Sequence, residues 1–102
     1  MNKAHTGRNI GELVYRRHRD VSFTRFGEEG LIVVPRESWQ LVVNGVGARV
    51  FELLDGVRTI AEIAAQVAEE YDASSREIIN DVGELLVELS DRGAAQIVTS
   101  DQ

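Results

Sequence analysis

At Asn44 the hydrophobic period of the chain changes from two to 3.6, and this switch divides it into a strand-forming half and a helix-forming half. Upstream, Val21–Phe26 (VSFTRF) alternates, with Val21, Phe23 and Arg25 on one side and Ser22, Thr24 and Phe26 on the other. Gly27–Gly30 reads as a turn, because its two glycines tolerate positive φ. Leu31–Pro35 (LIVVP) is a continuous apolar strand that Pro35 ends by removing a ladder donor. Arg36–Ser38 turns the chain into a third run, Trp39–Asn44. Three strands joined by short loops predict an antiparallel meander.

Downstream, Val46, Val50, Leu53 and Leu54 share one helical face, and Asp55-Gly56 closes that helix with a glycine suited to the C′ position. Thr59 and Glu62 form a capping box, followed by the stripe Ile60, Ile63, Ala64, Val67, Ala68 and Tyr71. Ser74 and Glu77 repeat the box before a longer helix with Ile78, Val82, Leu85 and Leu89 on one face. Arg92-Gly93 ends it, and Ala95–Val98 reads as a short closing strand. Strands followed by helices predict a segregated α+β domain. Residues 14–102 form that domain, behind a polar N-terminal tail at 1–13 without periodicity.

With no cysteine, disulfides and thiolate metal sites are excluded, and two histidines leave no imidazole-rich site. The longest apolar run, Leu31–Pro35, falls far short of the ~20 residues that span a bilayer, and the first residues lack the apolar core of a secretory signal. The expectation is a soluble cytoplasmic protein. Its net charge of −6 is unevenly placed. Residues 1–44 carry seven Lys/Arg against five acids, and residues 45–102 carry four Arg against twelve acids.

Catalytic signals are weak. His18 lies between Arg17 and Arg19, and neither it nor His5 has a Ser/Asp arrangement nearby. The carboxylates Glu69, Glu70, Asp81, Glu84, Glu88 and Asp91 read as solvated helix faces. Gly45-x-Gly47 opens a helix without the third glycine or the βαβ unit of a phosphate loop. No catalytic residue, cofactor or metal ligand is assigned, so the chain does not read as an enzyme. Three helices beside a small sheet also outline a winged-helix DNA binder. Against that alternative, the third helix offers Arg76, Asn80 and Arg92 against five acids, and phosphates require cations.

The third run, Trp39, Gln40, Leu41, Val42, Val43 and Asn44, contains neither charge nor proline, the devices that usually blunt a free strand edge. It can be covered by helices, pair with its own copy in a dimer, or accept a peptide strand. The third helix carries more apolar residues than one stripe requires. Ile79, Gly83, Leu86 and Val87 can form the facing wall of a groove, with Gly83 admitting a close backbone; alternatively they bury against the first strand or the C-terminal segment. Arg16, Arg17 and Arg19 read as a solvated charge run rather than a contact for a partner enzyme.

Asn44–Gly93 resembles the PqqD family of pyrroloquinoline quinone biosynthesis. The shared signals are Asn44 before a small-residue helix start with Ala48, then Leu53-Leu54-Asp55-Gly56, Arg58-Thr59 and Glu62-Ile63. Tyr71-Asp72, Asp81-Val82 and Leu85, Leu86 and Leu89 before Gly93 continue the match, and Val33-Val34-Pro35 with Leu41 fits the family's strands. The resemblance implies a winged helix-turn-helix-like fold and a RiPP recognition element, which binds the leader of a ribosomally made precursor peptide and presents it to a modifying enzyme, often a radical SAM protein. It also implies that the leader adds as a strand beside Trp39–Asn44 and rests against the third helix, at Ile79, Gly83, Leu86 and Val87.

Overall fold

A computed structural model describes residues 10–99. The expected meander is present: β2 (Ser22–Phe26), β3 (Glu29–Val34) and β4 (Trp39–Val43) pair antiparallel in that order, with Phe26 opposite Glu29 and Val34 opposite Trp39. The hairpin turn is tighter than its glycines suggest. Only Gly27 has positive φ (+63°), whereas Gly30 lies inside β3, where a Cβ would stand 2.5 Å from the Phe23 ring. Along β3, Ile32 and Val34 alternate inward and are fully buried. Pro35 opens a 3-10 turn, Pro35–Glu37, closed by the Ser38 N–H donating to the Pro35 carbonyl at 3.0 Å.

Three helices follow: α1 (Gly45–Leu53), α2 (Ile60–Tyr71) and α3 (Ser75–Asp91). Each begins on a side-chain cap: the Asn44 side chain accepts from the Gly47 N–H, and Thr59/Glu62 and Ser74/Glu77 form complete capping boxes. Their inner faces meet around Phe51, Ile63, Val67, Val82 and Leu89, all buried.

A second sheet lies outside the sequence expectation. β1 (Val14–Arg17) sits at its centre, paired antiparallel to β5 (Asp55–Thr59) and to β6 (Ala95–Ile97). The Asp55-Gly56 signal, read as the end of the helix, follows the last turn of α1 with Gly56 at φ +81° and also begins β5. There the ladder resumes only at Thr59, across from Val14. The intervening residues turn on the Asp55 carboxylate, which accepts from the Val57 and Arg58 N–H groups at 2.9 Å. Val57 is left 78% exposed. Neither β1 nor β5 carries an alternating apolar pattern, so period-based reading passes over both. The expected closing strand is present as β6.

The segment 1–13, read as a tail, is built at its inner end. Ile10–Glu12 form a 3-10 turn with Gly11 buried and Ile10 packed on the core, and the Leu13 carbonyl accepts from the Ile60 N–H at 2.9 Å. Residues 1–9 lie outside the described residues.

An ion-pair chain ties the meander to the helices. Arg25 of β2 meets Glu52 of α1 at 3.0 Å, and Arg49 of α1 meets both Glu52, at 3.3 Å, and Glu70 of α2, at 2.9 Å. Hydrogen bonding from Arg25, then from Arg49, holds the Glu52 carboxyl below the usual carboxylate range; Arg49, then Gln66, does the same for Glu70. A carboxyl with a depressed folded pKa contributes stability above its unfolded value and loses it as pH falls through the folded one. The urea midpoint of the native protein is therefore expected to fall from about pH 5 downward. Arg49→Gln should flatten that acid limb, measured by urea titrations across the range.

Candidate functional site

In the described residues, β4 pairs with β3 alone, so its other edge presents unpaired backbone donors and acceptors. Trp39 is half-buried, with the Arg92 guanidinium 5.4 Å above its ring; Leu41 is half-buried and Val43 is buried. Gln40 and Asn44 are exposed, and Val42 is 55% exposed. Beside this edge lies an open cleft of about 320 Å³. One wall is Leu41–Asn44, the floor includes Val46 and Val50 of α1, and the other wall is α3 through Asp81, Val82, Glu84, Leu85 and Glu88.

The strand half of the sequence-derived site thus borders a groove, with Leu41–Asn44 lining it and Trp39 and Gln40 continuing the strand. The helix half does not line it. Ile79, Gly83, Leu86 and Val87 are absent from the cleft wall, because successive helical residues step by about 100° and this set falls toward the opposite flank of α3. Leu86 is in the core at 1% exposure, and Val87 faces solvent at 63%. Gly83 lies under the N-terminal turn, where an added Cβ would stand 3.6 Å from Ile10 Cδ1, and Ile79 packs against the core, as does Ile10. The two adjacent leucines therefore exchange roles: Leu86 completes the buried stripe with Ile78, Val82 and Leu89, and Leu85 stands half-buried in the cleft.

Sequence reasoning missed Asp81, Glu84, Leu85 and Glu88 as wall residues. The acids carry the pattern of any solvated helix face, and only the docking of α3 beside β4 distinguishes them. Among the described residues none of the three forms an ion pair. Arg92, one turn beyond Glu88, is directed onto Trp39 instead.

A second concavity of about 350 Å³ is lined by Arg16, Arg17, His18, Arg19 and Gln96. The Arg17 guanidinium lies 5.5 Å from the Phe51 ring centre, so this arginine also covers the core. His18 Nδ1 accepts from the Asp20 N–H at 3.1 Å, a local turn contact. His5 lies outside the described residues. Among the described residues there is no cluster of three or more His, Asp or Glu able to hold a metal, and no helix long and apolar enough to cross a membrane.

Residues 29–94, more than half of the chain, match the family model for coenzyme PQQ synthesis protein D (PqqD). The chain belongs to the PqqD family. Among curated relatives, the PqqA binding protein of Rhodopseudomonas palustris (strain BisB5) is 30% identical over 77 residues, 76% of this chain and 74% of that protein. The PqqA binding protein of Gluconobacter oxydans (strain 621H) is 31% identical over 80 residues, 78% of this chain and 81% of that one. Two solved structures share the α+β fold. The PqqD truncation of Methylobacterium extorquens PqqCD, described as a stand-alone RiPP recognition element, superposes with a TM-score of 0.69 at 23% identity, covering 89% of this chain and 96% of its own. TbiB1 in complex with the TbiA(beta) leader peptide superposes with a TM-score of 0.70 at 16% identity, covering 83% of this chain and 99% of its own.

The exchanged roles of the two leucines have a measurable consequence. Leu86→Ala is expected to cost about 2–5 kcal/mol of stability, whereas Val87→Ala should stay within about 0.5 kcal/mol. Urea denaturation of the two variants checks this.

Proposed function

We propose that this chain is a non-catalytic RiPP recognition element that binds the leader of a ribosomally made precursor peptide by adding it as a strand to β4. The observation carrying this reading is the uncharged, singly paired β4 edge beside a cleft with an apolar floor. An extended peptide there completes the ladder through its backbone, which tolerates many sequences, while alternate side chains enter the cleft and supply selectivity. Two supports come from similarity: curated relatives are PqqA binding proteins, and TbiB1 of the same fold was solved with a leader peptide. The peptide site on this reading is Trp39–Asn44 with Leu85 and its neighbours on the cleft side of α3.

The bound leader is presented to a modifying enzyme, a radical SAM protein in the pathway that the family's name implies, and the adaptor acts in the cytoplasm, where precursors are translated. The three helices and adjoining sheet read as a winged helix-turn-helix variant. Its third helix is turned to peptide rather than DNA, because its cleft-side carboxylates repel phosphates. The same open edge can join a second copy in a homodimer when no leader is present.

Titrating the isotope-labelled protein with a PqqA-type precursor peptide should shift the amide resonances of Trp39–Asn44 and of the Asp81–Glu88 face of α3. Shifts absent from both would overturn the site. Leu85→Ala should weaken binding about 5–20-fold, in the range of a truncated interface anchor, whereas Val87→Ala on the far flank should leave affinity unchanged.

A further inference from the structure

We infer that the cleft selects leaders in which an apolar residue is flanked, two positions away on each side, by Lys or Arg. This rests on the strand-addition reading and adds to it the charge of the occupant. Three carboxylates, Asp81, Glu84 and Glu88, stand on the α3 wall beside the apolar surface made by Leu41, Val43 and Leu85. All three are exposed, and none has an ion-pair partner among the described residues. The arginine that follows them along the chain, Arg92, lies over the Trp39 ring. The cleft thus combines apolar surface with an acidic wall whose carboxylates no described cation pairs.

The spacing narrows the occupant further. With a rise of about 1.5 Å per residue, Asp81 to Glu88 spans about 10 Å along α3. In an extended peptide, residues on one face recur about every 6.6 Å, so the two neighbours flanking a central side chain are about 13 Å apart. A central apolar residue seated between β4 and the helix would meet Leu41 and Val43 on one side and Leu85 on the other. Flanking ammonium or guanidinium groups then reach the two ends of the carboxylate row. An acidic peptide would bring like charges together along the same row. Such exposed pairs act chiefly on selectivity and encounter rate, because solvent and salt screen them.

Three synthetic peptides test the inference on the full chain. They share an alternating Thr-rich host with a central Leu and differ only two positions either side of it, carrying Lys, Gln or Glu. The Lys peptide is expected to bind about 3–10-fold more tightly than the Gln peptide at low salt, the Glu peptide more weakly still, and the differences should shrink as salt rises. In the triple variant Asp81→Asn/Glu84→Gln/Glu88→Gln, whose fold is checked by its amide spectrum, the Lys preference should disappear while peptide-induced shifts at Trp39–Asn44 persist. Equal affinity for the Lys and Gln peptides with β4 shifts intact would overturn the charge selection and leave strand addition standing. A Lys preference retained in the triple variant would overturn it too. No shift at β4 with any of the three peptides would overturn both.

Discussion

Phe51 is the contact on which both sheets depend. It is fully buried on α1, with the Phe23 ring of the meander 5.3 Å away and the Arg17 guanidinium of the second sheet 5.5 Å from its centre. One aromatic side chain therefore joins two sheets that share no ladder. Aromatic pairs and a cation over a ring each add modestly to what burial supplies, so the joint is mainly hydrophobic and non-directional. Its consequence is positional: α1 is held across the meander, α2 and α3 pack behind it, and α3 comes to rest beside β4 without covering its edge.

An uncovered edge of this kind is a liability for an isolated domain. A domain selected only for stability would blunt β4 with charge, proline or a covering element. Here the edge strand is uncharged, and the adjoining cleft has an apolar floor with an acidic wall on α3. The N-terminal turn covers the other flank of α3, at Gly83, and β6 follows the helix back to β1. The flank beside β4 lines the open cleft. The chain belongs to the PqqD family, and the leader-bound TbiB1 shares its fold.

Much of the fold was legible because its signals are local. The meander follows from alternation in β2 and an apolar run in β3, and the helix starts follow from Asn44, Thr59/Glu62 and Ser74/Glu77 acting within a few residues of themselves. Of the second sheet only β6 was legible, as a short closing strand. Tyr15 of β1 pairs with Ile97 of β6, at the opposite end of the described chain, and β5 is interrupted by a turn on Asp55. Nothing in the composition of β1 and β5 distinguishes them from loops. The strand side of the candidate site was visible for the same local reason as the meander, whereas the helix residues named with it lie on the flank of α3 away from the cleft.

The order of the meander strands and of the three helices, the caps, the uncharged character of β4 and the acidity of α3 are written in the sequence, because each depends on residue type and short-range spacing. Which flank of α3 faces β4 is settled by long-range packing. Leu85 and Leu86 are chemically identical neighbours, and a rotation of about 100° between them separates a cleft wall from a core position. That rotation is set by what the rest of the helix buries against α1, α2 and the N-terminal turn, contacts that no local pattern encodes.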